Sequence, residues 1–383
     1  MNRAMMFATL AAVAAAVLLA ASGPADHAGV RVAQTIGGDA ALRLYADALS
    51  AITQRAVFAS GDREQVVGRT LAAYLAASDP YSGFMNRDEY ARYRALQKGP
   101  HGGIGMELER RRDGATLCYP YHGGPADAAG IKAGERLMSI DGTSVAGKPL
   151  PVLASLATGR EGTAVRIEVA SANGGTRSVN VTRARVDPAA VSIGAAGALR
   201  VLRIETFTQT TRSEVEFALR RWDRNSPVVI DLRGCGGGDF YAAVDTSMLF
   251  LAKGAPIVSV SGREGTRLYS STLEQDPPVQ PVFIWQDEAS ASAAEVFIGA
   301  LTGNARAVSV GTHSAGKGSR QDIVELADGS ALILTTGYLS TPRGAAFDGR
   351  GLAPMRPLAA SADTAAYVRA SSPAKQMQSN DAE

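Results

Sequence analysis

The sequence predicts an α/β core with a smaller, strand-rich domain inserted ahead of it and a helical segment on its N-terminal side. Three observations predict this. Residues 39–77 repeat apolar side chains at helical spacing. Residues 99–186 carry short alternating strands punctuated by glycine turns. From residue 188 to about 358 strands and helices alternate, the pattern of a sheet with active loops at its strand ends. A chain of 383 residues fits two or three domains, and an apolar share of 46% supplies a full core. The net charge is +2, with no basic run interleaved with aromatics, which argues against nucleic acid as a partner.

The elements follow in order. Met1-Asn2-Arg3-Ala4-Met5-Met6-Phe7 leads into an Ala/Val/Leu run ending near Ala21. A short basic start, an apolar middle and a small-residue exit make residues 1–28 a secretory signal, cleaved between Ala21 and Ala28. The alternative is an uncleaved anchor, since the run is near the lower limit for spanning a bilayer. No cysteine follows it, which excludes a lipid anchor there. Residues 29–38 read as a linker. Residues 39–98 read as helical, with Leu42, Tyr45, Leu49 and Ile52 on one stripe and Val67, Leu71, Tyr74 and Leu75 on another. Asp79-Pro80-Tyr81-Ser82-Gly83 reads as a structural turn rather than a site.

Residues 99–186 open with Gly102-Gly103-Ile104-Gly105-Met106. Successive backbone N–H groups in such a loop can hold a peptide's terminal carboxylate while the peptide adds as a strand. A short helix with a glycine end follows at 124–131, then a strand closed by Asp141-Gly142, then strands at 165–169 and 178–182. This ordered set resembles a PDZ domain.

Residues 187–358 form the core: strands at 199–204, 228–232 and 281–285, and helices at 211–222 and 242–251. Arg233-Gly234-Cys235-Gly236-Gly237-Gly238 follows the second strand. No Gly-Lys-Ser/Thr follows that loop, which argues against a phosphate cradle. Cys118 and Cys235 fall in different domains and imply no disulfide framework; Cys235 reads as structural. Residues 359–383 are Ala/Ser/Gln/Asp-rich and read as a disordered tail.

The chemistry lies in Ser290-Ala291-Ser292-Ala293-Ala294-Glu295 and Gly316-Lys317-Gly318-Ser319-Arg320-Gln321. A serine on a tight turn at a helix start is held toward substrate, beside unpaired N–H groups that can face an oxyanion. A lysine set in small, mostly uncharged neighbours can lose its proton near neutral pH, because burial disfavours the ammonium. Together they can form a Ser–Lys dyad. The bland readings are a helix N-cap for Ser292 or Ser290, a solvated Lys317 and a surface Gln321. Among the four histidines only His313 is near the serine block, so a Ser–His–Asp triad is less economical.

The two blocks, 25 residues apart from Ser292 to Lys317, resemble those of the carboxy-terminal processing peptidases of family S41. The resemblance runs over roughly residues 40–357. It implies an α/β peptidase core, an inserted PDZ domain (a mixed β-barrel plus short helices) and an N-terminal helical segment. It implies Ser292 as nucleophile, Lys317 as base and Gln321 as the residue orienting the lysine. It places the oxyanion hole at the N–H of Ala293 with that of Gly237 or Gly238. The PDZ carboxylate loop would be Gly102, Gly103, Ile104, Gly105 and Met106. Departures from the family pattern are Tyr81 for histidine, Cys235 for asparagine, Ala294 for serine, Ala315 for an aromatic, Arg320 for valine and Met355 for an acidic residue. The implied activity is an exported serine endopeptidase acting near or from protein C-terminal tails, with no metal and no cofactor. Unstructured C-terminal segments would be its substrates, a homo-oligomer and an adaptor protein its further partners, and the bacterial periplasm or cell envelope its location. The rival is a catalytically silent peptide-binding scaffold on a degenerate peptidase fold.

Overall fold

Three β-sheets converge on one place, and each sends at least one segment into it. This computed structural model describes residues 40–57, 61–96, 101–171, 174–186, 190–222, 226–274, 276–277 and 279–372. The expected signal, the linker and the last residues of the tail lie outside them. Among the described residues no helix is long and apolar enough to cross a membrane.

The central sheet has six strands in the order Arg356–Pro357, Ala307–Gly311, Val282–Gln286, Val228–Asp231, Leu199–Ile204, Val191–Ala196. All neighbours are parallel except the last pair, a hairpin. Val228–Asp231 and Val282–Gln286 are buried along their whole length, as strands covered on both faces must be. One face packs under helices Thr211–Arg221, Phe240–Met248 and Ala293–Gly303 through Phe207, Phe250 and Phe297. The other face is covered by the helix Thr364–Ala370.

That last helix corrects the reading of the tail as disordered from residue 359. Asp363 caps it by accepting from the N–H of Ala366 at 2.8 Å. Its Tyr367 is buried against Trp285, whose indole donates to Ser371 Oγ at 2.8 Å. A single aromatic with a good cap holds a segment whose composition alone looks unstructured.

The second sheet joins Gly83–Met85, Ala331–Ser340, Pro256–Gly262 and Gly265–Ser270, with Ser319–Glu325 also paired to Ala331–Ser340. Gly83 stands opposite Ile333. The chain ahead of the inserted domain therefore builds part of the core. The region ahead of it, expected to be helical, is three helices, Ala40–Arg55, Arg63–Ser78 and Arg87–Leu96, with the strand Gly83–Met85 between the last two; Asp62 caps the second helix.

The inserted domain has its own sheet in the order Met106–Arg110, Thr116–Pro120, Arg136–Ile140, Ala164–Ala170, Thr176–Thr182. Its core gathers Leu137, Ile140, Leu153, Ile167 and Val181. Asp141 and Gly142 both take positive φ, 48° and 76°, as the Asp-Gly turn requires. The sheet is open rather than a closed barrel. Beside its two outer strands, which the short helix Pro125–Ala128 contacts, the chain is joined only by an isolated bridge between Gly103 and Ala184.

Candidate active site

The nucleophile candidate stands where the strand Val282–Gln286 turns into the helix Ala293–Gly303. Ser290 staples that turn. Its hydroxyl donates to the Leu232 carbonyl at 2.8 Å and accepts from the Asp287 N–H at 2.9 Å, fully buried. Ser292 follows at φ 54°, ψ −114°, a conformation that non-glycine residues rarely adopt. It lies directly before the first helical turn, whose leading N–H groups have no partner within the helix.

The glycine loop from the adjacent strand meets this turn. A Cβ on Gly237 would stand 2.9 Å from Ser292 Cβ and 3.2 Å from the Ala293 nitrogen, so no side chain fits between the loop and the serine. Gly237 and Gly238 have φ 126° and 115°. The Phe207 N–H donates to the Gly237 carbonyl at 2.8 Å. Peptide planarity then turns the Gly238 N–H away from Phe207. Cys235 is buried, and desolvation pushes its thiol well above the ordinary range, in line with a structural role.

Lys317 arrives from the second sheet, just before the strand Ser319–Glu325. Its two flanking glycines are both required by packing. A Cβ on Gly316 (φ 83°) would stand 2.7 Å from the Gly351 nitrogen, and one on Gly318 2.6 Å from the Asp348 nitrogen. The segment at 348–351 thus clamps the lysine loop. Asp348 also accepts from the Gly318 N–H at 3.1 Å.

Glu295 ties the serine turn to the lysine loop. Fully buried, it accepts from the N–H of Ser292 (2.9 Å), Gly316 (2.7 Å) and Lys317 (2.8 Å) and from Ser314 Oγ (2.6 Å). Burial pushes its carboxyl up to about 7, while these four donors pull it down. Sequence reading quoted this residue without giving it a role. The signal was there: Ser292-x-x-Glu295 is the spacing of a capping box, whose glutamate reaches back to the N-cap N–H.

Gln321 is nearly buried, and its amide nitrogen donates to Ser319 Oγ at 3.0 Å and Thr335 Oγ1 at 3.1 Å. Thr335 donates in turn to Asp79, which also accepts from Ser82. Lys317, Gln321, Gly236, Asp79, Tyr81 and Glu107 line one cavity of about 330 Å³. The Asp79-Pro80-Tyr81-Ser82 segment, expected to be a structural turn rather than a site, lines this cavity. His313 is exposed, and Arg320 pairs with Asp322 at 3.1 Å.

The sequence profile of peptidase family S41 matches residues 199–356, and that of a PDZ domain matches residues 117–171. A carboxy-terminal-processing protease of Bartonella bacilliformis is 30% identical over 303 residues, covering 76% of this chain and 69% of that one. This chain belongs to the carboxy-terminal-processing peptidases. The peptidase is also 26% identical to the carboxy-terminal processing protease CtpA of Bacillus subtilis, over 90% of its own length and 74% of that relative's. Its fold is similar to that of a solved photosystem II D1 C-terminal processing protease, with a TM-score of 0.69 at 25% identity, covering 85% and 94% of the two chains. It is a serine-type peptidase.

In this peptidase the PDZ domain lies over the site. Arg112, in the turn after Met106–Arg110, pairs with Asp348 and lies against Gly349. Glu107 packs its carboxyl group 3.2 Å from where a Gly236 Cβ would be. Ser292 is only 7% exposed. In the segment expected to hold a carboxylate, Gly102 and Gly103 donate their N–H groups to the carbonyls of Gly159 (2.9 Å) and Ala184 (2.8 Å). Those two N–H groups are therefore engaged within the domain, contrary to their expected place in a carboxylate site.

Proposed function

We propose that this peptidase uses a Ser292–Lys317 dyad to cut protein substrates near their C-terminal tails. Ser292 Oγ attacks the scissile carbonyl and Lys317 Nζ takes its proton. The oxyanion is met by the N–H of Ala293 and an N–H of the Gly237-Gly238 turn. Lys317 returns the proton to the leaving amine, and water then frees the acyl group by the same route. Gln321, oriented through Thr335 and Asp79, accepts through its amide oxygen from the lysine amine. The observation that carries this reading is Glu295: one buried carboxylate holds the backbone N–H of both Ser292 and Lys317.

The PDZ domain presents the substrate's free carboxylate at Ile104, Gly105 and Met106 and gates the site beneath it. Export across the bacterial inner membrane, signalled by the first 28 residues, completes the proposal. Self-association through the N-terminal helices and delivery by an adaptor belong to it as well.

The test is cleavage of an unfolded reporter by the purified mature protein. Ser292→Ala and Lys317→Ala should each lower the rate at least about 10³-fold, the scale of losing a nucleophile or its base. Ser290→Ala should cost far less. Full activity in Ser292→Ala ends the assignment, and no cleavage by the wild type with any tail favours the scaffold reading.

A further inference from the structure

Glu107 is a carboxylate that the chemistry above does not use. It sits on the first PDZ strand, Met106–Arg110, yet its side chain reaches the peptidase core and lines the same cavity as Lys317. It is 92% buried by solvent exposure, the remainder being 8%. Its Oε2 has no hydrogen-bond partner among the described residues. The glycine loop presses on it at Gly236.

The charged and titratable groups facing it come from four places. Lys317 is the cation that acts on it, from the loop opposite. Glu109 stands two residues on, along the same strand, and is itself paired with Arg111 at 3.1 Å. Tyr121 faces it from beyond the neighbouring PDZ strand, and Cys235 from the glycine loop. Among the described residues Lys317 is the one cation acting on this carboxylate, whereas Glu109 faces Arg111 first and the same lysine second.

We propose that Glu107 is a positioning residue that holds Lys317 as an ammonium while the PDZ strand covers the site, so that the lysine becomes a base only when the strand withdraws. A carboxylate beside an amine stabilises the charged form and raises the pH at which the amine loses its proton. Burial pushes the Glu107 carboxyl itself up to about 7 and Lys317 pulls it down, so the lock is half set at neutral pH and sets fully as pH rises above about 7. Displacing the strand removes both carboxylates at once. The PDZ domain then controls the protonation of the base as well as access to it.

This inference rests on the dyad reading, and its test separates the two. In full-length Ser292→Ala protein, Lys317 is acylated with trace acetic anhydride across a pH series, and the modified peptide is quantified by mass spectrometry. Adding Glu107→Gln should move the Lys317 midpoint down by about one pH unit, which is about tenfold faster acylation below both midpoints. In protein with Ser292 intact, the rising limb of cleavage of a short amidated peptide should move by the same amount. Glu107→Asp keeps the charge and should restore most of the wild-type midpoint. If Glu107→Gln does not fold, Glu107→Asp carries the test by a smaller downward shift, its carboxylate standing one methylene farther away. A midpoint that stays or rises overturns the proposal, whatever the cleavage assay says of the dyad. A merely structural role would lower the melting temperature and leave the midpoint in place.

Discussion

Ser292 occupies a backbone conformation that costs on the order of 1–3 kcal/mol, and Glu295 is what holds it there. The carboxylate is fully buried and accepts four hydrogen bonds, so replacing it strands several donors at once. Glu295→Gln should therefore lose about 1–3 kcal/mol of stability, since the amide places a donor among donors. The pH dependence has a definite sign. The folded-state pKa, near 7, lies above the ordinary 4.5. The stability this group contributes is fully present below about 4.5 and is lost as pH rises through about 7. Thermal melts of wild type and Glu295→Gln should show a gap that narrows from pH 4.5 to pH 7. A gap that widens over that window means the four donors outweigh burial and the carboxyl titrates below its ordinary range.

At the scale of elements, the lysine loop is fixed by its two glycines together with the carboxylates of Glu295 and Asp348. Gly316→Ala forces a Cβ against the backbone of residue 351 at a φ of 83°. The loop must shift, and a displacement near 1 Å at a catalytic group costs roughly 10²-fold in rate. Kinetics of Gly316→Ala should show that loss in kcat with KM little changed; normal kcat would mean the loop bends without moving Lys317. Much at this scale was legible in the sequence. The strand Leu199–Ile204 and the helix beginning at Thr211 fall where periodicity and caps put them. The serine and lysine blocks were legible because small residues there have few other uses. What could not be read is which backbone those glycines touch. Nothing in Asp348-Gly349-Arg350-Gly351 marks it as the clamp of Gly316 and Gly318, because that packing joins segments whose contact only the fold decides. Asp79 was missed for the same reason: an Asp-Pro turn looks alike whether it faces solvent or a cavity. The tail helix was hidden by composition, where one Tyr367 outweighs a run of small residues.

For the whole molecule the decisive relation is between the PDZ domain and the core beneath it. Their visible clasp is Arg112 on Asp348, and Asp348 in turn holds the N–H of Gly318 beside the lysine. Arg112 is 61% exposed, so solvent screens the pair and its worth stays below about 1 kcal/mol. Arg112→Ala should therefore loosen the closed state by no more than about fivefold. Cleavage of a short amidated peptide should rise by up to that factor, while cleavage of a peptide with a free carboxylate changes less. Equal rises for both substrates, or none, would show that this clasp does not hold the closed state.

The pairing of Gly83–Met85 with Ala331–Ser340 has a consequence for how the molecule is born. Thr335 reaches Asp79 across 256 residues of chain, so that contact cannot form until nearly all the polypeptide is available. The PDZ domain, with local strand order and its own core, can fold early as an independent unit. The second sheet must wait, because closing a contact of such long range is slow. The cavity wall made by Asp79, Tyr81 and Ser82 is therefore among the last parts of the molecule to assemble. A nascent or truncated chain that ends before residue 331 would carry the serine and the lysine and still lack the strand that seats this wall and the Thr335 that links it to Gln321. The order of folding thus delays proteolytic competence until the chain is complete, a safeguard for a protease made in the company of unfolded proteins.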